Sequence, residues 1–478
     1  MFSSHISPSH ISPQSLIEAY GSPLYVYDER TFREKCRAMK AFCPYPHYTV
    51  NYAIKANSNL TLLKIAREEG LRTDVSSVGE AIAALAAGFD PKDIFFIVNN
   101  AAPEELRFAI EKGLPVSVDS LSQLETYGRL YLETREEEGL QRPTSPSREC
   151  NPSSSRGIRG IGGIGGIGDI SNICVRFNTG IGAGHHRKVV TGGDDTKFGV
   201  LPADIPKVKK LLMKYNLRLS GINHHIGSQY AQELYLVGAK ALIDIARNFD
   251  GLDFLDFGGG FYIPYHKMDG EKPFDLKPVG EELARMMREF SIEYGKPLTC
   301  MVEPGRYIAA ECGVLLGTVT SVKRIGAARY VGCDIGFSAF ARPTLYDAHH
   351  DIMVYPAAAG KETVTTTDIA LKGVQPLPSP PRHSGTSNLY PSRAQVTHLV
   401  GNQCETGDYV AKNRPLPPLT EGDIIAVQDA GAYGYSMASQ YNMRPRPAEV
   451  LICEDGTVKL IRRRDTHEGM LANMQGLC

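Results

Sequence analysis

The residues best suited to chemistry lie where apolar, strand-like segments end. Lys55 follows the run 47–54, and a lysine ammonium is rarely placed beside a buried strand unless a partner or a reaction accounts for it. His225 and Glu303 close two further apolar segments, and three consecutive glycines occupy positions 258–260. A lysine, an imidazole, a carboxylate and a glycine-rich turn therefore share one site if the fold brings these segment ends together.

These groups match the chemistry of one cofactor. A glycine-rich turn exposes backbone N–H groups that can hold a phosphate. The carboxylate of Glu303 can keep a pyridine nitrogen protonated, and the imidazole of His225 can stack on an aromatic ring. Lys55 can form an imine with an aldehyde. A phosphate, a pyridine and an aldehyde together describe pyridoxal 5'-phosphate, whose ring acts as an electron sink for a carbanion at the Cα of an amino acid.

The pattern of strands and helices gives a reason for the segment ends to meet. From residue 47, short runs rich in Val, Ile and Phe alternate with amphipathic helical stretches. The predicted strands cover residues 47–55, 71–77, 93–100, 115–119, 172–178, 219–226, 253–258 and 298–303. This alternation predicts an α/β fold, a TIM-like (β/α)8 barrel whose active site lies at the carboxyl ends of the strands. A doubly wound open sheet is the alternative.

Beyond about residue 310 the helical period stops. Strand-like runs separated by Gly and Pro predict a mostly β C-terminal domain, of sandwich or barrel type, over residues 311–478. Its predicted strands are Gly313–Ile325, Tyr330–Phe337, Val396–Asn402, Asp423–Asp429 and Ala448–Arg463. Residues 21–34 predict an N-terminal strand that joins this domain, which leaves residues 35–310 for the barrel.

Three segments fit neither domain. Residues 1–20 repeat the tetrapeptide His-Ile-Ser-Pro and predict a disordered leader. Residues 141–170 carry a Gly-Ile repeat, and residues 358–395 are rich in Thr, Pro, Ser and Gly. Such compositions predict flexible insertions in surface loops.

The bulk composition narrows the class of partner. The 478-residue chain has a net charge of −1, which favours neither nucleic acid nor an anionic membrane as a partner. Its apolar runs fall short of the roughly 18 residues that a membrane helix needs. The ten cysteines lack the spacing of a metal site, so no metal is predicted, and free thiols fit a reducing compartment. We expect a cytoplasmic protein that acts on a small molecule.

Eight motifs, in chain order, resemble those of the fold-type III pyridoxal-phosphate-dependent amino-acid decarboxylases, and most closely the members that act on diaminopimelate. The motifs are Tyr52-Ala-Ile-Lys-Ala-Asn57, Asp74-Val-Ser-Ser-Val-Gly-Glu80, His225-Ile-Gly-Ser-Gln229, Gly258-Gly-Gly260, Glu303-Pro-Gly-Arg306, Arg342-Pro-Thr-Leu-Tyr346, Cys404-Glu-Thr406 and the stretch from Gly431-Ala-Tyr-Gly-Tyr435 to Tyr441-Asn-Met-Arg-Pro-Arg-Pro447. The resemblance implies an alanine-racemase-like barrel, a C-terminal β domain and a homodimer in which each subunit completes the active site of the other.

The resemblance also implies roles for individual residues. Lys55 is the lysine that binds pyridoxal phosphate covalently, and Cys404 of the second subunit is the proton donor that follows loss of carbon dioxide. Further contacts to the cofactor are implied for Asp74, His225, Ser228, Gly260, Glu303, Gly305, Arg306 and Tyr433. Contacts to an amino-acid substrate are implied for Arg306, Arg342, Tyr346, Glu405 and Tyr433.

The choice of substrate rests on the arginines. A guanidinium binds a carboxylate bidentately, so the motif that begins at Arg342 favours a substrate with a second carboxylate. The expected reaction is decarboxylation of meso-2,6-diaminopimelate to L-lysine and carbon dioxide, the last step of lysine biosynthesis. The stretch Gly401-Asn-Gln-Cys-Glu-Thr406 lacks the proline that the family usually has before the cysteine. Carboxynorspermidine, ornithine, lysine and a carrier-linked amino acid are therefore alternative substrates.

Two other functions are compatible with the same barrel. A non-catalytic homologue would bind cofactor or partner without turnover, but such a protein is expected to lose the lysine or the cysteine, and Lys55 and Cys404 are both present. An amino-acid racemase would need a tyrosine acid/base on the opposite face of the cofactor, whereas this chain has a Cys-Glu motif and a longer β domain.

Overall fold

The computed structural model of the protein describes residues 11–137, 169–184, 186–193, 196–228, 232–357 and 395–474. In chain order, its strands are β1 (Leu24–Asp28), β2 (Tyr48–Ala53), β3 (Arg72–Val75), β4 (Ile94–Ile97), β5 (Val116–Val118), β6 (Asn172–Arg176), β7 (Ala183–Gly184), β8 (Arg218–Asn223), β9 (Gly227–Ser228), β10 (Phe254–Asp256), β11 (Thr299–Val302), β12 (Gly313–Ile325), β13 (Ala328–Cys333), β14 (Ile352–Tyr355), β15 (Gln395–Val400), β16 (Tyr409–Leu416), β17 (Ile424–Val427), β18 (Ala448–Ile452) and β19 (Val458–Arg462). Its α-helices are α1 (Pro13–Tyr20), α2 (Glu29–Lys40), α3 (Leu60–Glu68), α4 (Val78–Ala86), α5 (Pro103–Glu111), α6 (Leu121–Glu137), α7 (Ile205–Tyr215), α8 (Gln232–Ala246), α9 (Leu276–Tyr294), α10 (Arg306–Ala309), α11 (Arg342–Tyr346) and α12 (His467–Leu471).

Eight parallel strands close into a barrel within the unit formed by Cys36–Tyr262 and Phe274–Gly305. Their order is β2-β3-β4-β5-β6-β8-β10-β11, and β11 pairs with β2 to complete the ring. The predicted (β/α)8 barrel is confirmed, and the open doubly wound sheet is excluded. The strands agree with the prediction because seven of the eight are short apolar runs followed by a helical period, which is the strongest signal that a βα repeat leaves in a sequence.

Large side chains fill the space that the strands enclose. Phe95, Cys174, Phe254 and Met301 come from four different barrel strands and form one buried cluster. Gly221 of β8 lies beside Phe254 of β10 in the parallel register, and a Cβ at Gly221 would lie 2.3 Å from carbons of the Phe254 ring. The missing side chain on β8 thus makes room for an aromatic ring on β10.

The second unit contains the C-terminal β domain. It comprises the described residues up to Lys35, the segment Ile263–Pro273 and the described residues from Arg306 onward. A mixed sheet runs in the order β16-β15-β13-β12-β1-β18-β19, and β17 pairs with both β12 and β14. The N-terminal strand β1 lies in the middle of this sheet, antiparallel to β12 and parallel to β18. Its five residues are all buried, so a strand from the N-terminal part of the chain forms a fully buried interior strand of the sheet.

Part of the β unit differs from the prediction. The single strand predicted over Ala448–Arg463 is wrong, because β18 and β19 form an antiparallel hairpin around Asp455-Gly456, a typical turn pair. Strands β14 and β16 were not predicted. β14 has only four residues, and β16 contains Lys, Asn, Arg and Pro, which have little strand propensity.

The first described residues also correct the prediction. Residues 13–20 form α1, where the side chain of Ser12 caps the first turn and a proline occupies the first position. Leu16 is buried in the same cluster as residues of β1 and β12. The disordered leader predicted over residues 1–20 is therefore wrong for residues 13–20.

Several predicted segments lie outside the described residues. These are residues 1–10 of the leader and the insertions 141–170 and 358–395, apart from residues 169–170 and 395 at their ends. Within the described ranges, no helix has both the length and the apolar character needed to cross a membrane.

We predict that Gly221→Ala destabilises the barrel. The new methyl group would overlap the Phe254 ring, and overpacking of this kind costs about 1–3 kcal/mol of unfolding free energy. Denaturation in urea, followed by circular dichroism, measures the change. The matched control is Gly79→Ala in α4, where the new Cβ would have only an ordinary contact at 3.8 Å. If the two variants unfold at the same urea concentration, Gly221 is not a packing requirement.

Candidate active site

Lys55 and Asp74 meet at the carboxyl edge of the barrel. Lys55 lies in the 3-10 turn Ile54–Ala56, just past β2 rather than within the strand as predicted. Its Nζ is 3.2 Å from Oδ2 of Asp74 in the adjacent strand β3. The Asp74 side chain is 1% exposed and the Lys55 side chain 39%. Burial raises the pKa of Asp74, and the ammonium of Lys55 opposes that rise. Lys55 is thus held at the barrel rim by a buried carboxylate and remains open to a reactant.

A second carboxylate at the same edge has an unsatisfied oxygen. Glu303 directly follows β11 and is 5% exposed, and its Oε1 has no hydrogen-bond partner among the described residues. Burial raises the pKa of Glu303 well above its usual value, and the nearby carboxylates of Asp256 and Asp74 raise it further. When such a buried group is ionised, a hydrogen bond from a cationic N–H stabilises the carboxylate. Glu303 therefore fits the protonated ring nitrogen of pyridoxal phosphate.

Asp256 extends this acidic group. It ends β10 and is fully buried, and its Oδ1 accepts from the backbone N–H of Gly258 at 3.0 Å. Burial is the main reason that its pKa rises to about 6. Asp256 was not among the predicted site residues. Its position at a strand end, directly before the Gly258–Gly260 turn, was the available signal.

His225 is a neutral imidazole held by its neighbours. Its Nδ1 accepts a hydrogen bond from the backbone N–H of Gly259 at 3.0 Å. Its carbonyl oxygen accepts from Thr191 Oγ1 at 2.8 Å and from Arg176 Nη2 at 3.2 Å. Burial, followed by the positive charges of Lys55 and Arg176, lowers the pKa of His225 well below its usual value. A fixed, uncharged and half-buried ring fits the predicted stacking against a flat cofactor ring.

The glycine turn comes close to these side chains. Gly258 has φ 67°, a conformation that favours glycine, and a Cβ on Gly259 would lie 2.3 Å from the carbonyl oxygen of Glu303. A Cβ on Gly305 would lie 2.9 Å from the Ala56 Cβ. Ser228 pairs with β7 through the short strand β9. The side chains of Asp256 and His225 accept from the N–H groups of Gly258 and Gly259, so the phosphate contacts predicted for this site fall to Ser228, Gly260 and Gly305.

Arg176 is a residue of this site that the sequence reasoning missed. It ends β6, is 9% exposed, and its guanidinium carbon lies 4.5 Å from the centre of the Phe198 ring. Burial lowers its pKa, whereas the carboxylates of Glu303 and Asp119 raise it. Like Lys55, Arg176 is a basic residue that closes an apolar strand, so the rule that identified Lys55 could also have identified Arg176.

The predicted substrate arginines form a second group, in the β unit. The Arg306 Nη1 donates to the Tyr265 hydroxyl at 2.8 Å, and its guanidinium lies 4.8 Å from the Tyr433 ring centre. The Arg342 guanidinium lies 5.0 Å from the Tyr265 ring centre. Tyr265, which was not predicted, therefore brings the two arginines together. Tyr346 is half-buried at the end of α11, the helix that begins with Arg342.

Arg342 is a buried cation that forms no ion pair with an acidic side chain among the described residues. It is 1% exposed, and its Nε donates to Nε2 of His350 at 3.2 Å. Burial lowers its pKa to about 10, and the neighbouring groups that act on it most are Tyr265, Arg306, Tyr433 and Tyr346 rather than an Asp or Glu of the described residues. A guanidinium placed in this way is suited to bind an incoming carboxylate.

Tyr433, Cys404 and Glu405 complete the predicted set. Tyr433 has φ 56°, a conformation that costs a residue with a side chain about 1–3 kcal/mol and is common at functional sites. Cys404 and Glu405 lie in the loop between β15 and β16 and are exposed. The Cys404 N–H donates to Asn442 Oδ1 at 3.1 Å, and the Tyr441 hydroxyl donates to Glu405 Oε1 at 2.7 Å.

One cluster of possible metal ligands was not predicted. The ligand atoms of His266, Asp269 and His349 lie within 4.8 Å of one another. The Arg414 guanidinium also contacts both ring nitrogens of His349, at 2.6 and 2.8 Å. Because this cation competes with a metal for the same nitrogens, we assign the cluster no metal role.

Comparisons with known proteins agree with this site chemistry. The family described as "Pyridoxal-dependent decarboxylase, pyridoxal binding domain" matches residues 29–310. The chain is 35% identical to the diaminopimelate decarboxylase of Methanothermobacter thermautotrophicus, covering 95% of this chain and 92% of that protein. It is 30% identical to the diaminopimelate decarboxylase of Escherichia coli, covering 95% and 94% respectively.

Solved structures give the same result. A crystal structure of diaminopimelate decarboxylase superimposes with a TM-score of 0.77 at 28% identity, covering 98% of both chains. Another, from Helicobacter pylori and complexed with L-lysine, superimposes with a TM-score of 0.75 at 27% identity, covering 96% of this chain and 98% of that one. The likeness thus extends over the barrel and the β unit.

We predict that Lys55 is the site of covalent cofactor attachment. Borohydride reduction of the protein incubated with pyridoxal phosphate should fix a pyridoxyl group on Lys55, because its amine is held at the rim beside Asp74. Peptide mass spectrometry locates the label. Lys55→Ala should lose both the label and the visible absorbance of the bound cofactor, whereas Lys92→Ala, which removes the lysine that pairs with Asp90, should keep both. Label on another lysine in the wild-type protein would contradict the assignment.

Proposed function

Because the chain belongs to the diaminopimelate decarboxylases, a family of pyridoxal-dependent decarboxylases, we propose that it converts meso-2,6-diaminopimelate to L-lysine and carbon dioxide. The choice of substrate rests on the burial of Arg342, whose guanidinium is not neutralised by any acid among the described residues. Diaminopimelate has an amino-acid group at each end. One end reacts, and the carboxylate of the other end is the natural partner for Arg342.

The barrel unit holds the cofactor, pyridoxal phosphate. Lys55 binds its aldehyde, Glu303 hydrogen-bonds its ring nitrogen and His225 packs on its ring. The phosphate is assigned to Ser228, Gly260 and Gly305, and Arg306 and Tyr433 are further proposed contacts. Once bound, the cofactor supplies an electron sink for the pair of electrons left on Cα when carbon dioxide departs. The buried pair Asp74 and Glu303 keeps the charges of Lys55 and of the ring nitrogen in place.

The β unit selects the substrate. Arg342 and Arg306 bind the carboxylate at the non-reacting end, and the hydroxyls of Tyr346 and Tyr433 are proposed to orient it. Glu405 is proposed to hold the ammonium at the same end. Ornithine, lysine and carboxynorspermidine lack an amino-acid group there, so they would leave the buried Arg342 without a carboxylate partner, which is costly.

A homodimer with shared active sites completes the proposal. Cys404 and Glu405 are exposed in the single chain, which suits residues that complete a site in another subunit. The partner subunit's Cys404 donates the proton to the carbon that has lost its carboxylate. The cytoplasm is the proposed location, because the eight described cysteines are free thiols and seven of them are buried.

The substrate proposal predicts a specific loss in an arginine variant. Arg342→Lys should raise KM for meso-diaminopimelate by about 10- to 100-fold, because an ammonium cannot replace the bidentate guanidinium. Steady-state kinetics measure this effect. The matched control is Arg329→Lys, which alters another buried arginine of the β unit, one that donates to the Leu419 carbonyl. Faster turnover of ornithine, L-lysine or carboxynorspermidine than of meso-diaminopimelate by the wild-type protein would refute the substrate assignment.

The shared site predicts complementation between inactive variants. Lys55→Ala and Cys404→Ala should each be nearly inactive alone. Mixed subunits form heterodimers with one intact site, so unfolding and refolding the two together should restore about a quarter of wild-type activity. Refolding each variant separately is the control. No recovery in the mixture, with dimers present by light scattering, would place Lys55 and Cys404 of one site on the same chain.

A further inference from the structure

A buried histidine lies behind the substrate arginine. His350 is 3% exposed and follows α11, the helix that begins with Arg342. Its ring packs edge-on against Tyr265 and Phe340, each with a centroid distance of 4.8 Å. The imidazole is therefore clamped between two aromatic rings, one of which also supports the Arg342 guanidinium.

The hydrogen bonds of His350 define its tautomer. Nδ1 lies 2.8 Å from the carbonyl oxygen of Gln428, which can only accept, so Nδ1 carries the proton. Nε2 is then an acceptor, and it receives the Arg342 Nε–H at 3.2 Å. The main chain at Gln428 thus fixes the one form of the imidazole that can accept from the arginine.

The surroundings keep this imidazole neutral. Burial, followed by the positive charge of Arg342, lowers the pKa of His350 well below its usual value, and His349 and Arg306 lower it further. The Gln428 carbonyl is the opposing contribution. Tyr265, the other titratable side chain in contact, packs against the imidazole with its ring. An imidazolium would direct an N–H at the Arg342 Nε–H, so protonation would break the contact rather than strengthen it.

This contact sets the direction of the guanidinium. A hydrogen bond at Nε, together with a ring beside the guanidinium plane, fixes rotation about the end of a long side chain. The two Nη groups then form a preset fork for a carboxylate. Ordering of this flexible side chain occurs during folding, so less conformational entropy is lost when the substrate binds.

From this geometry we propose that His350 is a positioning residue, which holds Arg342 in the orientation that reads the second carboxylate of the substrate. The inference rests on the proposed function and adds a specificity determinant to it. His350 itself touches neither substrate nor cofactor in this proposal.

The test uses the holoenzyme and two amines that differ in one group. L-Lysine carries the carboxylate that Arg342 binds, and cadaverine is the same diamine without that carboxylate. His350→Phe keeps an aromatic ring but removes the acceptor. It should weaken L-lysine binding and raise KM for meso-diaminopimelate by about tenfold, with kcat within about twofold and cadaverine binding unchanged. Spectral titration of the bound cofactor measures both amine affinities.

A rescue variant separates positioning from packing. The amide oxygen of His350→Gln can accept from Arg342 Nε while its NH2 group donates to the Gln428 carbonyl, so most of the L-lysine affinity should return. The control is His398→Phe, which replaces a half-buried histidine that stacks on Tyr330 and should change neither affinity. If His350→Phe does not fold, as judged by thermal melting, His350→Met replaces it as the side chain without a strong acceptor, matched in length to Gln.

The outcomes distinguish failure of the positioning role of His350 from failure of the proposed function. Equal weakening of L-lysine and cadaverine binding, or a Gln variant no better than Phe or Met, would show a general structural role and overturn the inference. A wild-type protein that binds L-lysine no tighter than cadaverine and does not decarboxylate meso-diaminopimelate would instead overturn the proposed function, and the inference with it.

Discussion

Three buried carboxylates at one edge of a barrel are the constraint on which the site depends. Asp74, Asp256 and Glu303 are each 5% exposed or less; Asp74 lies within β3, Asp256 ends β10 and Glu303 follows β11. Within the described residues the cations that face them are Lys55 and Arg176. Lys55 neutralises one oxygen of Asp74, but Oε1 of Glu303 is not satisfied. In the proposed function, a protonated heterocycle bound at this edge would supply the missing donor, which would account for Glu303 at an otherwise apolar strand end.

The chemistry and the selection of substrate are assigned to different parts of the chain. The barrel unit carries Lys55, the imidazole of His225 and the glycine turn, whereas the β unit carries the two guanidinium groups beside Tyr265. The two sets are joined in sequence at Gly305 and Arg306, which are consecutive residues. With this division, the barrel unit can provide the reaction while the β unit recognises the non-reacting end of the substrate.

The barrel could be predicted from the sequence because the patterns that indicate it are local. Seven of the eight strands are short apolar runs followed by a helical stretch, and Lys55, His225 and Glu303 stand out as polar residues at the ends of apolar runs. The hairpin at Asp455-Gly456 also has a local signal, a typical turn pair, but the long apolar run around it favoured a single strand. The helix after Ser12 has a capping serine, but the repeat at the N-terminus favoured a disordered leader.

Other parts of the site depend on contacts that have no local signature. Tyr265 and His350 become part of the arginine group only because the segment Ile263–Pro273 belongs to the β unit, which no periodicity reveals. The tautomer of His350 depends on a main-chain carbonyl 78 positions away. Asp256 and Arg176 acquire their shifted pKa values from burial, which follows from barrel closure rather than from neighbouring residues.

The central claim is that buried Glu303 holds the cofactor's ring nitrogen in its protonated form. The most direct measurement is the nitrogen NMR shift of pyridoxal phosphate labelled with 15N in the ring and bound to the protein at neutral pH. The account predicts a protonated nitrogen in the wild-type protein and an unprotonated one in Glu303→Gln, with the cofactor bound in both. An unprotonated ring nitrogen in the wild-type protein would contradict it.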